Sequence, residues 1–145
     1  MDHYTTVIIA DGSEEFTAGL VAALQQIGGY KIVATAADGE QAIRLVTQLK
    51  PDMLVLDLML SKQDGLSVMK TVNSLEKKPV LVATSAFVTP YVSNQVANLG
   101  ARYLMLKPCD MTALVERLEE IRGGENLRTL PVRRNEKASI EAMVT

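Results

Sequence analysis

Five short apolar runs constrain this chain more than any other feature: Thr6 to Ala10 (TVIIA), Lys31 to Ala36 (KIVATA), Met53 to Leu56 (MLVL), Val80 to Ala83 (VLVA) and Tyr103 to Leu106 (YLML). None shows the clean apolar–polar alternation of a strand with one wet face. Strands covered by helices on both faces read this way. Beyond each run the period changes to that of a helix. In Glu14 to Ile27, the residues Phe16, Leu20, Ala23, Leu24 and Ile27 fall near one face, with Ser13 as N-cap and Gly28-Gly29 as a stop. Asp38 to Leu49 turns Ala42, Leu45, Val46 and Leu49 inward and meets Pro51 just past its end. Gly65 to Leu75 does the same with Leu66, Met69 and Val72. Pro90 opens a helix that runs to Leu99, and Asp110 caps one that runs to Ile121 before Gly123-Gly124.

Strand–helix alternation of this kind implies an α/β fold: a doubly wound, five-stranded parallel sheet with five helices, in three αβα layers. Right-handed crossovers leave few topologies, and the expected strand order is 2-1-3-4-5. A chain of 145 residues supports one well-cored domain rather than two. We place it at residues 1–124. Residues 125–145 (ENLRTLPVRRNEKASIEAMVT) are polar, with a proline and a basic pair, and read as a linker and the start of a truncated C-terminal domain. The net charge of −2 and pI near 5.4 give no bulk attraction to nucleic acid or to an anionic membrane. No apolar run approaches the roughly 18 residues of a bilayer span, and the opening MDHYTT is too polar for a signal peptide. A single cysteine, Cys109, cannot form an internal disulfide. The expectation is a cytoplasmic protein with no membrane partner.

In an open α/β sheet, ligands bind at the carboxyl ends of the strands, where the strand order reverses. Asp11 follows the first strand, Asp57 closes the third, Thr84 and Ser85 follow the fourth, and Lys107 follows the fifth. Two carboxylates, two hydroxyls and an ammonium are thus expected in one crevice. That set suits phosphoryl transfer to a carboxylate. An aspartate can attack phosphorus to form an aspartyl phosphate. Carboxylates and phosphate oxygens would hold a hard divalent cation such as Mg²⁺, and a lysine and a hydroxyl would bind the remaining phosphoryl oxygens.

These residues resemble the receiver domains of response regulators over about residues 5 to 124. Asp57 with Asp64-Gly65 is similar to the family's phospho-acceptor loop, and Lys107-Pro108 to its Lys-Pro pair, whose peptide bond is usually cis. Ser85, 22 residues before Lys107, matches the switch hydroxyl better than Thr84 does, and Gly100-Ala101 also fits. The segments ADG, TSAF, LGARYLMLKPCDM and IEAMVT are most similar to sporulation-type regulators of spore-forming bacteria. The resemblance implies that a histidine kinase or phosphotransfer protein phosphorylates Asp57 and that the chain is no enzyme beyond slow self-dephosphorylation. It implies a homodimer through helix four, strand five and helix five, on a face carrying Val92, Gln95, Val96, Leu104 and Val115. It implies DNA contact only through an absent C-terminal domain.

The pattern departs from the family at three places. Receivers usually carry two adjacent acids after the first strand; here the pair is Asp11-Gly12. The expected Mg²⁺ ligands are therefore Asp11, Asp57 and the backbone carbonyl of Met59. Glu14 and Glu15 are nearby acids that more naturally favour the N-terminus of their own helix. The common Met-Pro of the loop is Leu60-Ser61, and the switch aromatic is Leu104, with Tyr103 one place earlier. Gly12 leaves an alternative open, a pseudo-receiver that binds proteins without being phosphorylated. A small phosphohydrolase or a flavodoxin-like binder is a further alternative, although Asp11-Gly12-Ser13-Glu14-Glu15 is too acidic to cradle a flavin phosphate. The bland readings are that His3 is a surface residue, Cys109 a small packing residue, and Arg133-Arg134 a solvated linker pair.

Overall fold

The computed structural model describes residues 4–123. Its elements run β1 (Thr5–Ala10), α1 (Glu14–Ile27), β2 (Tyr30–Ala36), α2 (Gly39–Leu49), β3 (Met53–Asp57), α3 (Gly65–Asn73), β4 (Val80–Ser85), α4 (Pro90–Asn98), β5 (Ala101–Leu106) and α5 (Met111–Arg122). All strand pairs are parallel, in the order β2-β1-β3-β4-β5, as the sequence implied. Each helix begins on a polar cap. Ser13, Asp38, Asp64, Thr89 and Asp110 each accept a hydrogen bond from a backbone N–H of the first turn, which satisfies one donor the helix leaves unpaired.

Strand pleating sends alternate residues into two cores. On one side Ile8, Leu54, Leu56, Ala83 and Leu104 meet Val46 of α2, Met69 of α3 and Val96 of α4. On the other, Ile9, Val55, Val82 and Met105 meet Leu20 and Leu24 of α1 and Leu114 and Leu118 of α5. The leucines among them are fully buried, each contributing about 2 kcal/mol of transfer free energy. Two hydroxyls tether the second layer at its polar margin: Tyr30 and Tyr103 donate to Glu119 and Glu120 of α5. Burial, with these glutamates beside the rings, pushes the Tyr103 phenol up to about 12 and Tyr30 higher still.

Several expected positions shift. Ile27 and Leu49 are each 45% exposed rather than inward. Each is the last residue of its helix, three places past the last buried contact (Leu24, Val46), where the chain already bends into a positive-φ cap at Gly28 or Lys50. Helices α3 and α4 stop short of Leu75 and Leu99, and β5 starts at Ala101, before Tyr103. The residues on which the linker, the truncated domain, His3 and Arg133-Arg134 were read lie outside the described region. Among the described residues, no helix is long and apolar enough to cross a membrane.

Candidate functional site

The carboxyl ends of β1, β3, β4 and β5 converge as expected. Asp11 follows β1, and its amide is fixed to the edge strand by donating to the Ala36 carbonyl at 2.9 Å. Its Oδ1 accepts from the Ser13 amide at 2.8 Å, an Asx turn that starts the chain toward α1. Asp57 is the last residue of β3, and its Oδ1 accepts from the Met59 amide at 2.9 Å. That leaves Oδ2 of both aspartates facing the crevice. Lys107 enters between them: its Nζ lies 2.5 Å from Asp11 Oδ2 and 3.4 Å from Asp57 Oδ2. The ammonium also lies 4.2 Å from the centre of the Phe16 ring of α1, which favours a cation there. The Asp11 and Asp57 side chains keep only 2% and 13% of their exposure, so they interact in a partly dried crevice where charges act more strongly than in water.

The loop carrying Asp57 is clamped at both ends. Leu58 donates its amide to the Thr84 carbonyl at 2.9 Å, and Gly65 donates to the Leu58 carbonyl at 3.0 Å. Gly65 is required by this closure, since a Cβ there would stand 2.5 Å from Leu58 Cα and 2.9 Å from the Asp57 carbonyl. At the other end Gly39 donates to the Ser61 carbonyl at 3.0 Å, and a Cβ on Gly39 would meet the Gln63 carbonyl at 2.0 Å. Lys62 passes through positive φ and pairs with Asp38 at 3.6 Å. The Gln41 amide, hydrogen-bonded to Asp38, is the main cause that holds this carboxyl below the usual aspartate range. The Lys107-Pro108 bond is cis.

Hard oxygen donors from Asp11 and Asp57 fit a divalent cation of the Mg²⁺ kind. The two carboxylates and Lys107 together leave one negative charge unbalanced. The second acid of the usual pair has no substitute among the described residues. Gly12 has no side chain, Glu14 and Glu15 are exposed in the first turn of α1, and no group of three or more His, Cys, Asp or Glu converges. Gly12 nevertheless has room: a Cβ would find only the Ala37 carbonyl, at 3.7 Å.

The two candidate hydroxyls part company. Thr84 is in register with Asp57 and fully buried, and its Oγ1 has no hydrogen-bond partner. Ser85 is 1% exposed, and its hydroxyl is engaged with Phe87, donating to the carbonyl at 2.7 Å and accepting from the amide at 3.1 Å. Leu104 is fully buried in the α2–α3–α4 core. Of the residues expected on the dimer face, Val92 and Gln95 are half-buried and the other three are buried. Val96 and Leu104 are core residues on one side of the sheet, and Val115, 7% exposed, belongs to the core on the other. The exposed apolar groups near α4 are aromatic instead, Phe87 at 70% and Tyr91 at 68%. Cys109 packs beside the α1–α5 core, and burial pushes its thiol up, in keeping with a packing role. The contact of Lys107 with Phe16 was not anticipated. The α1 pattern marked Phe16 only as an apolar residue.

The response regulator receiver domain family matches residues 7–119. The signal receiver domain of the response regulator NarL from Mycobacterium tuberculosis is 28% identical, with 85% of this chain and 99% of that one covered and a TM-score of 0.77. CheY from Borrelia burgdorferi, solved in complex with CheX, BeF₃⁻ and Mg²⁺, is 25% identical, with 81% of this chain and 88% of that one covered and a TM-score of 0.72. The response regulator domain of Thermotoga maritima CheB, at 21% identity and a TM-score of 0.74 over 86% and 98% of the two chains, shares the fold.

Proposed function

The chain belongs to the response regulator receiver domain family, and on that premise we propose that Asp57 accepts a phosphoryl group. The observation that carries this reading is the ammonium of Lys107 set between the buried Asp11 carboxylate and the half-buried Asp57 carboxylate. A histidine kinase or phosphotransfer protein would present a phosphohistidine to the crevice. Asp57 Oδ2, which bears no backbone hydrogen bond, attacks phosphorus. The P–N bond breaks, and the imidazole nitrogen leaves with its electron pair and takes up a proton. An acyl phosphate remains on Asp57. Mg²⁺, held by Asp11, Asp57 and the Met59 carbonyl, would supply charge neutralisation for the phosphoryl oxygens. Lys107 gives up Asp11 and turns to a phosphoryl oxygen. The Ser85 hydroxyl leaves its turn with Phe87 and, as the end of β4 rearranges, swings to the Asp57 side to do the same, and the freed loop rearranges around Leu104. The β4–α4 loop, which carries the exposed Phe87 and leads to the exposed Tyr91 of α4, is the element whose two states the phosphoryl group biases.

The resemblance of ADG, TSAF and LGARYLMLKPCDM to sporulation-type regulators is what favours an output in sporulation, exerted through a DNA-binding domain. The complex of Borrelia CheY with BeF₃⁻ and Mg²⁺ supports the phosphoryl and metal assignments by similarity. Gly12 favours a second reading, an interaction module that is never phosphorylated, because it withholds one metal ligand. Incubation with acetyl phosphate and millimolar Mg²⁺, followed by intact-mass measurement, separates the two. The expected result is a single phosphoryl adduct, lost in Asp57→Ala. Absence of an adduct in the wild-type chain overturns the first reading in favour of the second.

A further inference from the structure

Among the described residues, Thr84 is one of two with a buried side-chain polar atom that has no hydrogen-bond partner. It is fully buried, and its Oγ1 makes no hydrogen bond. Leaving a buried hydroxyl unpaired costs about 1–3 kcal/mol, and an isosteric valine would avoid that cost. The cost therefore calls for a state in which the hydroxyl is paired.

Its place in the sheet says with what. On β4, Leu81 and Ala83 enter the α2–α3–α4 core and Val82 enters the α1–α5 core, so alternation directs Thr84 to the α1–α5 side. On β3, Leu54 and Leu56 take the first side and Val55 the second, so Asp57 projects to the same side as Thr84. The two residues are register partners on hydrogen-bonded strands, about 4.8 Å apart across the ladder. Lys107 is on that side too, two residues beyond Met105, which is the register partner of Thr84 on β5. Ser85, one residue further, alternates to the opposite side and is already engaged. The other unpartnered buried hydroxyl among the described residues, Ser93, is in α4 and not at a strand end.

We propose that Thr84 is a positioning residue for the phospho-acceptor: its hydroxyl donates to the Asp57 carboxylate oxygen that is released when the aspartyl phosphate hydrolyses. This inference rests on Asp57 being the phospho-acceptor. In the resting chain, Lys107 covers Asp57 Oδ2 and the Met59 amide covers Oδ1. In the phosphorylated chain, Lys107 is drawn to the phosphoryl oxygens. When water attacks phosphorus, the P–O bond to Asp57 breaks, and its electron pair returns to the carboxylate. The water proton goes to solvent, and inorganic phosphate leaves. The negative charge appearing on Asp57 is then met by a donor already buried beside it. A donor to the leaving carboxylate speeds its departure, so Thr84 sets how long the phosphoryl group lasts.

The test measures decay of the acetyl phosphate-generated adduct by intact mass, in the full chain with Mg²⁺, for the wild type, Thr84→Val and Thr84→Ser. Thr84→Val is expected to lengthen the lifetime by about tenfold, the low end for losing a hydrogen bond to a charged group, and Thr84→Ser to restore it. An unchanged lifetime in Thr84→Val overturns the inference, as does a Thr84→Ser chain that decays like Thr84→Val. A merely structural hydroxyl would change the denaturation midpoint and leave decay alone. If the wild-type chain forms no adduct, it is the phospho-acceptor reading that fails, and the two failures stay distinct.

Discussion

Restoring the missing acid tests the metal assignment directly. Gly12 lies at the mouth of the crevice, beside Asp11, and the nearest atom that a Cβ at this position would meet is the Ala37 carbonyl at 3.7 Å. Gly12→Asp therefore adds a carboxylate without forcing the backbone to move. A unit charge about 4 Å from a divalent ion gains about 2 kcal/mol at the dielectric of water and about 8 kcal/mol at an effective value of 20. Residue 12 is exposed, so the lower figure applies. It corresponds to roughly thirtyfold in the dissociation constant. The added charge also crowds Asp11 in the metal-free chain, and the cation relieves that repulsion, so the two effects act in the same direction. Isothermal titration of Mg²⁺ into the wild type and Gly12→Asp measures the gain. Gly12→Asn, which offers an oxygen without a charge, should gain much less. A folded Gly12→Asp chain that binds Mg²⁺ no more tightly than the wild type refutes the placement of the metal beside Asp11.

Other outcomes follow from the same geometry. Lys107→Met removes the cation between Asp11 and Asp57 and should cost about 3 kcal/mol without metal, the low end for taking one partner from a buried pair; Mg²⁺ should raise its Tm more than that of the wild type, as a thermal-shift assay would read. Gly65→Ala pushes a Cβ to 2.5 Å from Leu58 Cα, which should cost about 2–3 kcal/mol in urea unfolding and slow adduct formation. For Asp52, burial raises the carboxyl, but hydrogen bonds from the Thr6 amide and hydroxyl and the nearby Lys77 outweigh it and leave the group lowered. A depressed acid stabilises the fold above its unfolded value and loses that contribution as pH falls through its folded one. Asp52→Ala should thus flatten the acid limb of the stability curve by about 1 kcal/mol, screened because the side chain is 41% exposed.

The sequence disclosed most of the fold because each strand is an apolar run interrupted by caps and glycines. Where it misled, the cause lies in three dimensions. Arg102 hid the start of β5, since a charged residue inside a strand breaks the apolar pattern. The sequence reads Val96, Leu104 and Val115 as one face, yet Val96 and Leu104 pack on the α2–α3–α4 side of the sheet and Val115, on α5, packs on the other. The expected strand order already gathers the site residues into one crevice, but it does not say that Lys107 sits between Asp11 and Asp57. Lys107 and Asp11 are 96 residues apart, and only the sheet order makes them neighbours. Spacing separates Ser85 from Thr84 in the sequence, whereas strand alternation relative to Val82 and Ala83 directs the two to different sides of the sheet.

The double clamp on the loop after β3 separates two jobs that one segment could otherwise confuse. Its backbone is held by Leu58, Ser61 and Gly65, while Met59, Ser61, Lys62 and Gln63 project into solvent. Those exposed side chains can be rewritten without moving Asp57, because none of them sets its position. The loop is thus a fixed frame with an interchangeable face. A lineage that needs to distinguish one phosphate donor from another can change the face and leave the chemistry as it stands.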